Sequence, residues 1–409
     1  MRVLFLTSWY PTSAMPYGGV FVREHARAVE AAGGRVVVVH VPDDAGLDGG
    51  PWRLERESDP AATAGLPTLR LTSRLVTFPG FVPGARRAGY WASYGLRLSG
   101  AAMAIRSLRR RGFMPDLSHA HVFNAGAVGA VMGRLFGLPL VVTEHSTLFP
   151  RHELDAGMLK RARFAFGRAD RVMPVSDSLR EAIEAYGIEA RFDVVPNAVD
   201  VGLFHPEQGA RGHARDAARR LLFVGRLEPT EHKGFPTLVT ALSMLGARRS
   251  DWHLDVVGDG PSRGDCQSSV DAAGLSSAVT FHGNQPKASV AAMMRTADVF
   301  VMPSRFETQG VVLLEAMATG LPIVSTTAGA IPEVVSTGDG ILVEPRAPEP
   351  LAEAIERALW SVTFDRADIV ERARARYSLE AVGSRFMEIY REVIATRGEA
   401  AVNPESQMP

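Results

Sequence analysis

Short runs of consecutive apolar residues recur along the chain, each followed by a turn and then a stretch with helical spacing. Arg2–Thr7 shows no polar alternation, the pattern of a strand covered on both faces, as in a parallel sheet. Gly18-Gly19 then precedes a predicted helix over Val20–Ala32, and Arg35–Val41 repeats the strand pattern. Residues 43–68 are rich in Asp, Gly and Pro and read as a loop, and Trp91–Arg111 reads as a long amphipathic helix. Leu117–His121, Leu140–Thr143, Arg171–Pro174 and Phe192–Val195 are further short strands separated by helical stretches. Such βα alternation predicts a doubly wound parallel sheet.

A polar stretch, His205–Arg220, interrupts this pattern and reads as a linker. The alternation then restarts. Strands are predicted at Leu221–Val224, His253–Val257, Val279–Phe281, Val299–Met302 and Ile323–Ser325. Helices are predicted at Phe235–Leu245, near Cys266–Ala273, and at Val290–Thr296 and Gly310–Thr319. Pro348–Leu359 and Leu379–Ile394 are late helices, and the tail from Ala395 is polar and reads as disordered. The expectation is an α/β chain of two Rossmann-like domains, residues 1–203 and 204–375. A helix at 376–395 packs back toward the first domain, and 396–409 form a tail. Two such domains set a crevice at the carboxyl ends of two sheets, where nucleotides and phosphorylated ligands bind.

Composition narrows the class. The 409 residues are 46% hydrophobic and 22% charged, with 45 basic and 45 acidic side chains, which argues against a general nucleic-acid binder. The single cysteine, Cys266, excludes an internal disulfide and a four-cysteine zinc site, and fits a reducing compartment. No run reaches the roughly 18 apolar residues of a membrane span, and the N-terminus lacks the long apolar core of a signal peptide. The expected location is cytoplasmic, with the inner face of the plasma membrane as a further site. That addition comes from uneven charge. Pro60–Pro115 carries nine arginines, from Arg70 to Arg111, and no acid, together with Phe78, Phe81, Tyr90 and Trp91. A solvated helix flank is the plain reading. A surface that meets anionic lipid or an anionic acceptor is the alternative.

The chemistry-bearing residues mostly follow strand ends. Leu221–Val224 is followed by Gly225-Arg226-Leu227-Glu228 and then Lys233-Gly234. A guanidinium fork beside an ammonium suits a diphosphate, although either cation alone reads as solvated surface. Val257-Gly258-Asp259-Gly260 is a second glycine exit from a strand, and no more than a plain turn by itself. Met302–Gly310 leads into a helix that begins at Val311, whose N-terminal N–H groups favour a phosphate. Glu307 precedes that helix and Glu315 lies inside it among apolar neighbours, where an ionised carboxylate needs a partner. Both carboxylates suit sugar or ribose hydroxyls. His119 and His121 lie two apart on a strand and so share a face. A metal pair is one reading, but no third ligand stands at a fitting spacing, so no metal is expected. His145 should border the same crevice, and His25 reads as structural.

Taken together these pieces resemble the retaining glycosyltransferases of GT-B fold in the family-four group. The matching segments include Gly18-Gly19, Asp116–His121, Thr143-Glu144-His145, Val195–Asp200, Val224–Leu227, Lys233-Gly234 and Gly258–Pro261. Phe281-His282-Gly283, Pro303-Ser304, Glu307 to Glu315 and Ala328–Glu333 complete them, so the resemblance spans almost the whole chain. It implies a nucleotide-sugar donor, UDP-linked in preference to GDP-linked, and no metal or other cofactor. Glu307 would sit beside the transferred sugar and Glu315 on the donor ribose. Arg226 and Lys233 would bind the diphosphate, with Gly225, Gly258, Gly310 and Val311 in backbone contact with the donor. His121 would face the sugar, and the Gly19 loop would lie near phosphate and acceptor.

One departure stands out. Thr308-Gln309-Gly310 replaces the Gly-Phe-Gly of many members, which puts the donor sugar in question. The opening Ser8-Trp9-Tyr10-Pro11 with Gly19–His25 resembles more loosely the members that build cell-surface polysaccharides. That implies a glycan or lipid-linked acceptor, with a small-molecule acceptor as the alternative. A nucleotide-sugar epimerase and a non-catalytic sugar-binding module are the rival classes. The first lacks an assignable second acid, and the retained glutamates and cations speak against the second.

Overall fold

The computed structural model describes residues 1–12, 17–42, 51–73, 85–207, 218–229 and 232–402. The chain divides into two compact units. One comprises Met1–Val175, Arg180–Ala198 and the chain from Leu379. The other comprises Ser176–Leu179 and Val199–Ser378.

The first unit begins β1 (Arg2–Thr7), α1 (Val20–Ala31) and β2 (Arg35–His40). β3 (Trp52–Glu57), α2 (Pro60–Thr63), β4 (Thr68–Ser73) and α3 (Ala85–Arg110) follow. Next come β5 (Leu117–His121), α4 (Val122–Phe136), β6 (Leu140–Glu144), α5 (Ala156–Phe166) and β7 (Arg171–Pro174); the chain then enters α6 (Asp177–Glu184). Its sheet has the order β3-β4-β2-β1-β5-β6-β7, parallel except for β3, which runs antiparallel to β4. The run Leu4-Phe5-Leu6 of β1 is buried on both faces, as its unbroken apolar sequence requires.

The second unit contains β8 (Arg219–Val224), α7 (Phe235–Gly246), β9 (Trp252–Val257), α8 (Arg263–Ala272), β10 (Val279–Gly283) and α9 (Lys287–Thr296). It continues through β11 (Val299–Met302), α10 (Val311–Ala318), β12 (Ile323–Thr326), α11 (Ile331–Val334), β13 (Gly340–Val343), α12 (Pro348–Trp360) and α13 (Arg366–Tyr377). Its six strands, ordered β10-β9-β8-β11-β12-β13, are all parallel. α14 (Leu379–Val402) belongs to the first unit, where Val382, Phe386, Tyr390 and Val393 pack with Val22, Ala26 and Val29 of α1. Each fully buried large side chain in that seam contributes about 1.5–3 kcal/mol.

Four expectations change. Within 51–68 the chain is not a loop: Trp52–Glu57 pairs with Thr68–Ser73 as an edge ribbon whose polar side chains stay in solvent, so apolar content alone hid it. Residues 43–50 lie outside the described residues. Phe192 makes only an isolated bridge to Val172, so Phe192–Val195 is no strand. β13, a four-residue apolar run (Gly340–Val343), and α13, which carries few apolar residues, add to the expected elements. The last helix runs past Ala395 to Val402. Among the described residues no helix is long and apolar enough to cross a membrane.

The basic segment is also less bare than its sequence. Arg70 meets Glu57 of β3 at 3.6 Å, a counter-charge from outside the segment. Arg109 donates to the Phe136 carbonyl and lies over its ring, and Arg106 lies over the same ring. Trp91 is 57% exposed. Arg74, Phe78 and Phe81 lie outside the described residues.

Candidate active-site groups in each unit

In a doubly wound sheet the loops that leave neighbouring strands in opposite directions open a cleft at the carboxyl ends. The second unit reverses between β8 and β11, and the expected residues lie on the loops after those two strands. Gly225 and Arg226 follow β8, and Lys233-Gly234 enters α7. Glu307 follows β11, and Gly310 caps α10, whose first residue is Val311. Gly258 leaves β9 and approaches the Gly225 carbonyl. Gly234 has φ 67°, and a Cβ there would sit 1.8 Å from the Pro303 carbonyl oxygen. No other residue lets the Lys233 turn press against the end of β11.

That close approach brings Lys233 Nζ to 2.5 Å from Glu307 Oε2. The Glu307 carbonyl in turn accepts from Ala330 N at 3.0 Å, which ties the loop after β11 to the one after β12. Glu315 is buried in α10, and Lys287 Nζ, at the start of α9, donates to its Oε1 at 2.9 Å. Lys287 also lies 5.6 Å over the Phe204 ring. This is the partner that a carboxylate on an apolar helix requires, and it comes from another helix, 28 residues upstream and beyond the reach of local spacing. Arg226 pairs with Glu228 at 2.7 Å and its side chain is 71% exposed. Arg226, Lys233, Glu228, Ser262, Asp265 and Cys266 line a cavity of about 240 Å³ that does not extend to Glu307, Gly310 or Glu315. The expected diphosphate cations therefore share one cavity, and Lys233 links it to Glu307.

The first unit reverses between β1 and β5. Gly19, on the loop after β1, caps α1 at φ 65°, and a Cβ would lie 2.5 Å from the Trp9 backbone. His121 ends β5, flanked by Thr7 of β1 and Thr143 of β6. It is fully buried, and its Nδ1 lies 3.2 Å from Nε2 of His145. His25 of α1 stands beside both rings, at 5.6 Å and 5.4 Å between centroids, and its Nε2 bonds the Pro196 carbonyl. His119 is occupied elsewhere: its nitrogens meet the Tyr390 hydroxyl and Thr143 Oγ1, both at 2.7 Å.

Among the described residues the His119–His121 pair thus gathers no third ligand, and a different trio comes together. His25, His121 and His145 bring nitrogens within 4.8 Å of one another, from three separate elements. Three neutral imidazoles so placed suit a transition ion by donor type. Among the described residues His25 Nδ1 and His121 Nε2 have no hydrogen-bond partner.

Burial sets the charge state of this cluster. Desolvation lowers His25 to about 3, and His119, His121 and His145 well below the usual imidazole range; neighbouring histidines push the last three further down. All four are therefore neutral at pH 7. Glu144, the last residue of β6, belongs to the Thr143-Glu144-His145 segment. It is fully buried, and its pKa is pushed up to about 7 by desolvation, against three backbone N–H donors that lower it. The signal in the sequence was an acid closing an otherwise apolar strand.

The family now follows. A model of Glycosyltransferase Family 4 matches residues 18–203, and one of Glycosyl transferases group 1 matches residues 218–360. The chain belongs to these glycosyltransferases and is an enzyme of that class with the GT-B fold.

Among its relatives is the alpha-D-kanosaminyltransferase of Streptomyces kanamyceticus, 30% identical over 80% of this chain and 88% of that protein. D-inositol 3-phosphate glycosyltransferase of Acidothermus cellulolyticus is also 30% identical, over 74% of this chain and 72% of its own. A Bacillus subtilis glycosyltransferase ascribed to teichuronic acid biosynthesis, TuaC, is 27% identical over 87% and 89%. Anabaena HepE, solved with UDP and glucose, is similar in fold: TM-score 0.72, 20% identity, 96% of this chain and all of that one.

Proposed function

We propose that the enzyme moves a sugar from a nucleotide-sugar donor to an acceptor hydroxyl with retention of anomeric configuration. The donor is UDP-linked in the first instance, with a GDP-sugar as the alternative. The observation that carries this reading is the Lys233–Glu307 pair at 2.5 Å, beside a cavity that Arg226 also lines. A leaving diphosphate gains charge as the glycosidic bond breaks. Arg226, Lys233 and the α10 N-terminus are the groups that stabilise it, and Glu307 is freed by the exchange to meet the sugar. Glu315 takes the ribose hydroxyls, and His121, whose Nε2 is buried and unpaired, meets the sugar once the side chains around it part. The reading needs no metal, so turnover is expected to survive chelation.

For the acceptor we favour a lipid-linked glycan or cell-surface polysaccharide precursor, supported by the likeness to TuaC along most of both chains. The kanosaminyltransferase likeness favours a second reading, a soluble secondary metabolite. The basic segment from Arg70 to Arg111 favours the first, through reversible docking on an anionic leaflet; juxtamembrane cations contribute on the order of 1 kcal/mol each.

Two experiments test these readings. A melting screen with UDP-, GDP- and ADP-sugars selects the donor, because a ligand of the native state raises Tm. Proton NMR of the product then reads the anomeric outcome, and inversion rejects the mechanism. Sedimentation with neutral and anionic vesicles separates the acceptor readings: equal recovery at low salt removes the membrane.

A further inference from the structure

The link from β5 to α4 holds the one strained residue beside the proposed sugar-facing histidine. Val122 follows His121 directly and sits at φ 62°, a left-handed conformation that a β-branched side chain rarely adopts. That turn lets the chain pass from the last strand residue straight into a helix, with His121 as its N-cap and no capping side chain of its own. A strained residue persists only where its surroundings over-determine it. Part of those surroundings is one side chain from the neighbouring strand, which holds the residue after Val122. Glu144 Oε2 accepts from Phe123 N at 2.9 Å, in the first turn of α4. Its Oε1 accepts from His145 N at 3.0 Å and from Ser146 N at 2.8 Å. One carboxylate therefore grips the backbone just after His121 and the backbone of His145, whose rings meet at 3.2 Å.

We propose that Glu144 is a positioning residue for the His121–His145 pair: it locks the two strand exits together and so fixes where His121 presents Nε2. The inference deepens the sugar-side role given to His121 and rests on it. Only the ionised side chain meets all three donors without a donor of its own, and burial confines that form to about pH 7 and above. Three N–H donors converge on two acceptor oxygens, and no donor on the side chain is wanted. Glutamine has the same shape but turns an NH2 toward one of these N–H groups, leaving it unpaired. α4 also begins at this point, so an anion there meets the positive end of the helix.

The experiment separates the bracing from the role of His121. In Glu144→Gln, the side-chain ¹⁵N and ¹H resonances of His121 and His145 should shift while those of His253 and His282, in the other unit, stay unchanged. Unmoved His121 and His145 signals overturn the bracing whatever the activity. With the nucleotide sugar that the melting screen selects, Glu144→Gln should lower kcat on the order of 10²-fold and leave nucleotide affinity as in the wild type. In a His121→Ala background the same substitution should cost turnover nothing further, because its effect runs through the missing ring. An equal loss in both backgrounds overturns the positioning role and leaves Glu144 a fold-stabilising residue. If His121→Ala alone retains full turnover, the role of His121 fails and the catalytic half of the inference with it, while the resonance shifts still decide the bracing. A melting curve on each variant confirms that the compared enzymes are folded.

Discussion

The two units solve the same geometric problem with opposite electrostatics. Each sheet reverses at a pair of neighbouring strands, and each places some of its candidate groups on the loops after that pair and the rest on neighbouring elements. In the second unit the candidate carboxylates are ions held in pairs: Glu307 with Lys233 and Glu315 with Lys287. In the first the candidate groups are neutral imidazoles, stripped of charge by burial, around one carboxylate that binds only backbone N–H groups. Paired ions can exchange partners when an anionic ligand arrives. Neutral rings cannot, and what they offer is direction: a donor or a lone pair at a fixed place. That is the difference expected between a diphosphate site and a hydroxyl site.

The largest effect that tests this contrast is acid lability confined to the first unit. His25, His119, His121 and His145 have folded pKa values below the unfolded 6.5. Unfolding therefore takes up protons, and the stability they contribute is present above pH 6.5 and lost as pH falls toward the folded values. Each contributes a slope of at most about 1.4 kcal/mol per pH unit. Glu144 has the opposite sign. Its folded pKa of about 7 lies above 4.5, so its contribution is present below 4.5 and is lost as pH rises through 7. Four against one leaves a net loss of stability as pH falls below 6.5. Hydrogen exchange at pH 5 should open β5 and β6 well before β8 and β11. Simultaneous opening of both sheets would remove the contrast.

Next in size is Lys233→Ala, expected to lower turnover by about 10²-fold or more, since the ammonium meets charge that grows in the transition state. Arg226→Ala should follow in the same direction. Near-native kcat in a folded Lys233→Ala enzyme contradicts the diphosphate assignment. Glu315→Gln should weaken nucleotide binding by about 1.5–3 kcal/mol, the worth of a charge-assisted hydrogen bond. Glu307→Gln should spare nucleotide affinity and reduce transfer. Calorimetric titration with the nucleoside diphosphate distinguishes the two glutamates.

Legibility in the sequence followed local pattern. Strands such as Val299–Met302 and Arg171–Pro174 announced themselves because parallel strands buried on both faces are short apolar runs with clear punctuation. The ribbon Trp52–Glu57 with Thr68–Ser73 did not, because an edge strand in solvent reads like a loop. The glycine exits and the two glutamates were visible as spacing. Their partners were not: Lys287 reaches Glu315 from another helix, and His25 reaches His121 from a helix nearly a hundred residues earlier. Glu144 was in plain view, yet its role depends on Phe123 N, which only strand order β5-β6 brings near. Long-range pairing across a sheet is set by topology, and topology is a property of the whole chain.

The smallest effect sharpens the contrast most finely, because it asks whether the second unit's pairs are exchangeable. Arg226 and Glu228 form an exposed pair at 2.7 Å, with side chains 71% and 37% exposed. Exposed pairs are worth about 0.2–1 kcal/mol, since water screens them and two long side chains must be held. Glu228→Gln should therefore change stability by no more than about 0.5 kcal/mol, close to the noise of a denaturant titration. It should nevertheless tighten nucleoside diphosphate binding by a few-fold, because Arg226 no longer has to leave a carboxylate before it meets a phosphate. The gain should shrink in high salt, where the competing carboxylate is already screened. If Glu228→Gln weakens binding instead, Glu228 is orienting Arg226 rather than occupying it. The pair would then be a fixed element like the histidines of the first unit, and the division between exchangeable ions and fixed dipoles would have to be redrawn around Lys233 alone.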